Sequence, residues 1–557
     1  MASTVADDKV VDASSLEKGP VDTSSEKSDR YAFDAADLDR VQRRLSQRHI
    51  QMIAIAGTIG ADSSPKSGSG HALAGAGPLG ALLAYALVGT TAYSTLCSLG
   101  EMTSHAPVSG TFPHYAARWV DPALGFTVGW NYYWSNAIAT PAEISAATIL
   151  LTFWDDSVRA NRERSISHQY VYTAVLVAAI IAMNFIGVRW YGESEFMFSI
   201  LKLLLITGLI ILGLVIDLGG APDHDRRGFR FWDDPGPFAR AGLVSNPNTD
   251  KFLGFLSVIV QAAFSFQGME LVAVAAAETE SPRRNIATAV RRVFYRVVIF
   301  YILGVLITGM IVPSNDPTLL HSTGTAAESP YVIAMRLASI KVLPSIVNAV
   351  IFTSAFSAGS SYLYCSARIL YGLGLRRQAP KIVTYCAPNG VPVVSVAITS
   401  AFAFLAFMNA SSGAATVFSW LVNLTTVGGF FSWGVMCLTY IYFHRGMKVQ
   451  GIDRTQLVYH NRLQPYIAWW GLIWNVIFIL INGFEVFWSF NASDFLTAYI
   501  NIPIFFGLYF FWKIWKKTKF WKPEEMDFVT GIPSIEETET PLEPAHTLAQ
   551  KIASKIF

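Results

Sequence analysis

The stretch GTIGADSSPKSGSG, residues 57–70, follows the apolar run IQMIAIA (50–56) and precedes a long membrane-like segment. Its reading decides the fold because it decides the parity of the chain. Counted as a damaged membrane span, the segment 50–76 gives twelve crossings. Left outside the membrane, it gives eleven and puts the N-terminal tail on the outer side. GTIG has the look of a glycine-broken membrane helix with free backbone groups, whereas ADSSPKS (61–67) has the look of a surface loop with an acid, a base and a proline.

The rest of the chain sets the context. Of 557 residues 52% are apolar, 13% aromatic and only 15% charged, and the mean hydropathy is +0.37. Soluble domains carry about 25% charged residues, so the composition is that of an integral membrane protein. A net charge of +2 argues against nucleic acid as a partner. The four cysteines, Cys97, Cys365, Cys386 and Cys437, show no metal-ligand spacing and no disulfide framework. Residues 1–47 are polar and acidic without the apolar core of a signal peptide, and are expected to form a disordered cytoplasmic tail.

A helix crossing ~30 Å of hydrocarbon needs roughly 20 mostly apolar residues. Besides 50–76, the candidates are 79–99, 126–153, 170–187, 196–217, 252–276, 293–313, 342–365, 391–409, 415–443, 466–487 and 495–515. Lys and Arg collect on alternate connections: Arg283, Arg284, Arg291 and Arg292, then Arg368, Arg376, Arg377 and Lys381, then Arg445, Lys448, Arg454 and Arg462. Arg43, Arg44 and Arg48 precede the first span, and Lys513, Lys516, Lys517 and Lys519 close the last. The connections 314–330, 408–415 and 488–494 carry neither residue type. The positive-inside rule then puts both termini in the cytoplasm and requires twelve spans. The connection 155–165 is basic on the outer side and disagrees. The expected organisation is a tail over 1–47, a transporter domain over 48–515 and a second cytoplasmic tail over 516–557.

Within a bilayer, irregular backbone is tolerated only where protein or a water-filled cavity satisfies it. Two segments look built for such a break: GTIG (57–60) in the first span and FSFQGME (264–270) in the sixth. Five spans separate their starts, the spacing expected if helices 1–5 and 6–10 are inverted repeats, with helices 11 and 12 appended. Paired glycine-interrupted segments of this kind point to a transporter's midplane site. The half-helix start after each break offers N–H groups to a carboxylate, and the carbonyls before it can accept from an ammonium. An amino acid carries both groups. The competing reading is that the glycines only allow close helix packing.

Intramembrane charges are costly unless functional. Glu143 lies inside the third span just after Pro141, Glu270 follows the break in the sixth, and Lys202 lies about two turns into the fifth. The alternatives are a lysine snorkelling from a helix end and a structural acid bonded to a neighbouring helix. Glu101 stands at a helix end and reads as structural.

The chain resembles the fungal amino acid permeases of the amino acid–polyamine–organocation superfamily over roughly 48–531. The resemblance rests on RHIQMIAIAGTIG (48–60), LGEMTSHAPVSGTFPHYAARWVDPALGFTVGWNYYW (99–134), FSFQGMELVAVAAAETESPRRNIATAVRR (264–292) and SAGSSYLYCSARILYGLGLRRQAPK (357–381), in that order. It implies an all-α integral membrane fold of twelve transmembrane helices, two inverted five-helix repeats plus helices 11 and 12. It also implies proton-coupled amino acid uptake across the plasma membrane by alternating access, with no catalytic residue, metal or cofactor beyond the proton gradient. Carried over by position, Gly57, Thr58, Ile59 and Gly60 would face the substrate carboxylate. Ser265, Phe266 and Gly268 would lie at the ammonium side, with Phe266 as a lid. Glu143 and Glu270 would bind substrate or carry the proton, and Lys202 would take part in proton coupling, its ammonium standing near the break of helix 1 in place of a sodium ion. Lys9, Lys18 and Lys27 would be open to ubiquitin ligase adaptors acting on the N-terminal tail, unless they are ordinary solvated lysines.

The chain departs from this family at the stretch quoted first. The family continues GTIG with TGLF, one more residue and GSG; here ADSSPKS intervenes, and Asp62 stands near an anion site while Pro65 removes a donor. Three accounts compete: a splicing or gene-model error, a variant with altered substrate or coupling, and a chain that folds but transports poorly, as an amino acid sensor or a defective permease. Smaller departures are GSS at 359–361, where the family often has GNS, and Met269 beside the sixth-span break. A neutral or broad amino acid range is the expectation, with basic amino acids second. No nucleotide loop, metal cluster or nucleophile constellation supports an enzyme.

Overall fold

The computed structural model describes residues 69–108, 111–155, 162–186, 188–271, 281–320, 329–409 and 414–534. Over these residues it is helical, with one isolated bridge between Leu218 and Arg226. GTIG and ADSSPKS, with the N-terminal tail and its lysines, lie outside the described residues.

The first helix, α1, is Ser69–His105, sharply kinked at Gly77, whose φ of 76° is left-handed. The Gly77–Pro78 pair causes the bend, since glycine tolerates positive φ and Pro78 has no N–H to continue the ladder. The connection that follows the fifth span closes the kink from outside. Leu79 N–H donates to the Pro237 carbonyl and Ala239 N–H to the Ala76 carbonyl, both at 2.9 Å. The kink divides the helix, and the longer part after it holds the second candidate span, 79–99.

The chain continues through α2 (Thr111–Trp119), α3 (Pro122–Leu151), α4 (Arg162–Ile186) and α5 (Val188–Asp217). The sixth span is α6 (Pro247–Ser257) with α7 (Ile259–Phe266), and the seventh is α8 (Pro282–Arg296), a π-helical turn over Val297–Ile302 and α9 (Leu303–Ile311). Then come α10 (Leu343–Leu375), α11 (Val393–Ala403), α12 (Ala414–Val449), α13 (Tyr466–Ile481) and α14 (Asn501–Lys516). Among the described residues eight helices are long and apolar enough to cross a membrane; Ala492–Tyr499 with Asn501–Lys516, bent by 42°, can make another, and Ile299–Ile311 and Val393–Met408 are shorter apolar helices. Each falls on one of the eleven candidates that follow the first span.

Helix α3 is the central post, packed against both α10 and α12. It is buried yet rich in polar residues, among them Asn131, Ser135, Asn136, Thr140, Glu143, Ser145 and Thr148. Several satisfy themselves on the preceding turn: Ser135 donates to the Asn131 carbonyl at 3.0 Å and Thr148 to that of Ile144 at 2.9 Å. Ser145 uses the carbonyl of Pro141 at 2.7 Å. Others tie helices together, as where Asn131 donates to the Gly428 carbonyl at 2.7 Å. Glycine permits that approach, because a Cβ on Gly428 would lie 1.8 Å from Ser135 Oγ.

At the end of the bundle where α1 finishes, residues 517–534 run back across the helix ends. Asp121, the N-cap of α3, accepts from Ala123 N–H, Tyr509, Thr518 and Lys513. Trp521 donates its backbone N–H to Val120 and its indole N–H to Ala117, each at 2.9 Å. Arg118 and Trp119 both donate to the Asp527 carbonyl, at 2.7 and 3.0 Å. Burial raises the Asp527 carboxyl, but the N–H groups of Thr530 and Val529 and the charge of Arg118 outweigh it and hold the group below the usual carboxylate range. Arg283, at the start of α8, donates to the carbonyls of Pro533 and Ser534 at 2.6 and 3.0 Å and to that of Ser104 in α1 at 3.0 Å. Glu101 nearby accepts from Tyr440 at 2.8 Å and pairs with Arg454 at 3.3 Å, a structural anchor joining α1, α12 and the next connection.

Two consequences are measurable. A Cβ on Gly77 would sit 2.6 Å from the Ala239 nitrogen. Gly77→Ala is therefore expected to cost about 1–2 kcal/mol for the left-handed backbone and ~1–3 kcal/mol for overpacking, read as a lowered thermal midpoint in detergent. Hydrogen bonds from a charged donor are worth about 1.5–3 kcal/mol each. Arg283→Ala should accordingly release the segment after Lys516, seen as faster amide exchange and protease cleavage over 517–534, with unchanged exchange in α3.

Candidate functional site

The sixth span breaks where the sequence places it. Helix α7 ends at Phe266, Gln267 is extended (φ −62°, ψ 149°), and Gly268 turns back at φ 88°. Breaking a helix inside a bundle strands carbonyls that water would otherwise satisfy. Tyr301, in the π-helical turn of the seventh span, donates to the Ser265 carbonyl at 2.8 Å. The Ser265 hydroxyl shares a hydrogen bond with Tyr85 of α1 at 3.0 Å and also reaches the Gln261 carbonyl at 3.3 Å. Gln267 donates from its amide to the Thr425 carbonyl of α12 at 3.1 Å. A Cβ on Gly429 would lie 2.2 Å from that amide nitrogen, so glycine is what lets α12 close on the break.

Phe266 is fully buried, with its ring 4.4 Å from that of Tyr301 and 6.0 Å from that of Tyr85, centroid to centroid. Glu270, just past the break, accepts from the Tyr132 hydroxyl at 3.2 Å and the Trp433 indole at 3.3 Å. Backbone N–H groups of Gly268 and Glu270 itself also serve its carboxylate. A carboxylate with donors from α3, α12 and the turn ties the three elements together.

Glu143 and Lys202 form a second cluster. Glu143 is 2% exposed, and its Oε1 has no hydrogen-bond partner. Gly359 of α10 lies directly against it, and a Cβ there would be 3.3 Å from that of Glu143. Lys202 is 1% exposed, so its ammonium does not reach the surface of the bundle. It donates to Ser357 Oγ at 3.0 Å, and its charge is felt by both Glu143 and Glu195. The Ser357 hydroxyl in turn donates to both carboxylate oxygens of Glu195, at 3.0 and 2.9 Å. Tyr362, also on α10, is within electrostatic reach of Glu143 and Glu270 and links the clusters; its hydroxyl has no partner.

Ser265, Phe266, Gly268 and Glu270 thus gather around one helix break, while Glu143 on α3 and Lys202 on α5 are within electrostatic reach of each other beside α10. Gly57, Thr58, Ile59 and Gly60 lie outside the described residues. Sequence reasoning missed Tyr85, Tyr132, Tyr301 and Trp433, aromatic residues whose polar ends serve the break and its acid. It also missed Glu195. The available signal was spacing, since Glu195 and Lys202 are seven residues apart and therefore share a helix face. Among the described residues no group of His, Cys, Asp and Glu is placed to hold a metal ion.

Comparison with known proteins matches this arrangement to a family. The family described as "Amino acid permease" matches residues 49–525. The chain is 41% identical over 482 residues to a probable proline-specific permease of Schizosaccharomyces pombe, covering 85% of each chain. It is 38% identical over 496 residues to the dicarboxylic amino acid permease of Saccharomyces cerevisiae, covering 88% of this chain and 80% of the relative. Among solved structures, a manganese transporter from Eremococcus coleocola superposes with a TM-score of 0.50 at 13% identity, over 84% of this chain and 93% of that one. At that identity the likeness concerns the fold alone. The reading as a transport-impaired sensor gains no support from relatives such as these. A match across nearly the whole helical domain and identities near 40% over most of the chain place it in the amino acid permease family of multi-pass membrane transporters.

Proposed function

We propose that the chain is an amino acid:proton symporter of the plasma membrane, with both termini cytoplasmic, working by alternating access around the break in the sixth span and its counterpart in the first. The observation that carries the coupling is the buried Glu143, with one carboxylate oxygen unpartnered and within electrostatic reach of the buried Lys202. A carboxylate in such surroundings is costly to keep charged, and taking up a proton removes much of that cost. Protonation of the loaded carrier then favours the step that carries both proton and substrate inward. With ~2.3 kcal/mol per charge per 100 mV of membrane potential, one proton per neutral substrate drives appreciable accumulation.

Substrate recognition divides along the two breaks. Gly57, Thr58, Ile59 and Gly60 supply N–H groups to the substrate carboxylate, and the turn at Ser265, Phe266 and Gly268 supplies the ammonium side. Glu270 holds that turn against α3 and α12 through Tyr132 and Trp433. Among the described residues no further buried charge stands beside this turn to pair with an ionised side chain, which favours neutral amino acids over basic ones.

The two acids should separate in uptake assays. Radiolabelled amino acid uptake in a permease-deficient yeast is expected to lose its dependence on external pH in Glu143→Gln while retaining facilitated exchange. Glu270→Gln is expected to lower uptake at every pH, by a factor of about 10 or more, because leaving buried donors unsatisfied costs ~1–3 kcal/mol. Undiminished proton-driven accumulation in Glu143→Gln would sink the coupling role. The same assay with TGLFV in place of ADSSPKS is expected to raise uptake, since Asp62 and Lys66 each carry an insertion cost of roughly 2.5–3.5 kcal/mol at membrane depth.

A further inference from the structure

Glu195 has no role in the transport scheme so far, although it is 1% exposed and sits in the fifth span beside Lys202. Its environment is built rather than accidental. Glu195 and Lys202 share a face of α5 two turns apart, and Ser357 and Ser361 share a face of α10 one turn apart. The helices oppose these pairs so that each serine bridges to Glu195. Ser357 accepts from the Lys202 ammonium at 3.0 Å and donates to the carboxylate at 3.0 and 2.9 Å. Ser361 accepts from the Tyr191 hydroxyl at 3.0 Å and also serves the Glu195 carboxylate. In the first bridge a hydroxyl has one proton to give, so its direction is fixed: ammonium to hydroxyl to carboxylate. That order suits a charged lysine at one end and a charged carboxylate at the other, the pairing that makes such bridges strong.

We propose that Glu195 is the counter-ion of Lys202 and acts through Ser357 as a positioning residue for proton coupling. The proposal rests on the reading of Lys202 as a coupling group and adds what holds its charge inside the bundle. An ammonium at this depth is expensive alone. Glu143 cannot be its constant partner, because Glu143 changes charge as the proton comes and goes. Glu195 supplies a fixed negative charge at the far side of the serine, leaving Glu143 free to titrate against an ammonium held at one place. Among the described residues, the titratable and charged groups around this bridge are Glu143 from α3, Tyr191 from α5 itself, and Tyr362, Cys365 and, beyond Tyr364, Arg368 from α10. Helix α9 brings no ionisable group, and α4 reaches α10 through the amide of Asn184.

The test is proton-dependent uptake of radiolabelled amino acid in vesicles carrying Glu195→Gln, Glu195→Asp, Ser357→Ala and Lys202→Met, each normalised to the amount of folded transporter. Glu195→Gln and Ser357→Ala are expected to move the pH of half-maximal uptake by about one unit or more in the same direction, with Glu195→Asp recovering part of the shift. Loss of the carboxylate should also be less harmful once the ammonium is gone, so Glu195→Gln with Lys202→Met should yield more folded transporter than Glu195→Gln alone. A wild-type pH profile in both Glu195→Gln and Ser357→Ala overturns the proposal, as does a shift in Glu195→Gln that Ser357→Ala does not share. If Lys202→Met itself keeps proton-driven accumulation, the underlying reading of Lys202 fails instead. If Glu195→Gln does not fold, Ser357→Ala, which leaves both charges in place, decides the question by its pH profile.

Discussion

Hydrocarbon offers no hydrogen bonds, so every peptide group freed by interrupting a membrane helix must find a partner within the protein. The architecture around the sixth span is organised by that demand. Breaking the helix at Gln267 and Gly268 frees the Ser265 carbonyl, which Tyr301 fills from the π-helical turn of the seventh span. The Gln267 side chain is drawn to Thr425, and Glu270 draws in Tyr132 and Trp433. Gly429 in α12 follows from the same need, since a Cβ there would lie 2.2 Å from the Gln267 amide nitrogen. One interruption therefore fixes features in α1, α3, α12 and the seventh span.

Polar chemistry in the interior falls into two kinds. Around Glu270 each carboxylate oxygen has a donor from another element, as expected of a joint. Around Glu143 an oxygen is left open, and the nearby Tyr362 hydroxyl is open as well. Fully satisfied networks hold one arrangement, whereas an unsatisfied buried group stores a preference for something that is absent. The two clusters share α3, and Tyr362 is within electrostatic reach of both acids.

Much of this was legible in the sequence. Apolar run lengths located the spans, because a helix must cover the hydrocarbon with its own residues. The glycine in FSFQGME marked the break, and the rarity of intramembrane charge marked Glu143, Glu270 and Lys202. The partners of those residues were not legible. Tyr85, Tyr132, Tyr301 and Trp433 sit in aromatic-rich helices where sequence does not separate a lipid-facing ring from one whose hydroxyl or indole N–H completes a broken helix. Glu195 escaped notice because it lies near the start of its helix, where an acid ordinarily reaches water. Packing of α10 over it makes it an interior residue. The return of residues 517–534 across the helix ends was equally hidden, since its holds are mostly backbone carbonyls taken by distant arginine, tryptophan and glutamine side chains.

That returning segment has a mechanical meaning. It begins at the last span, is pinned beside α2 and the start of α3 through Trp521, crosses α12 through Gln450, and ends on Arg283, which also grips α1. A chain extends by at most ~3.3–3.6 Å per residue, so a pinned strap has a finite length to give. Any rocking that separates α1 and α8 from α3 and α12 at this end of the bundle must first take up that slack. Beyond it, the motion must detach either the Arg283 anchor or the hold of Arg118 and Trp119 on Asp527. On the alternating-access reading, the strap is a tether that bounds opening at this end of the bundle.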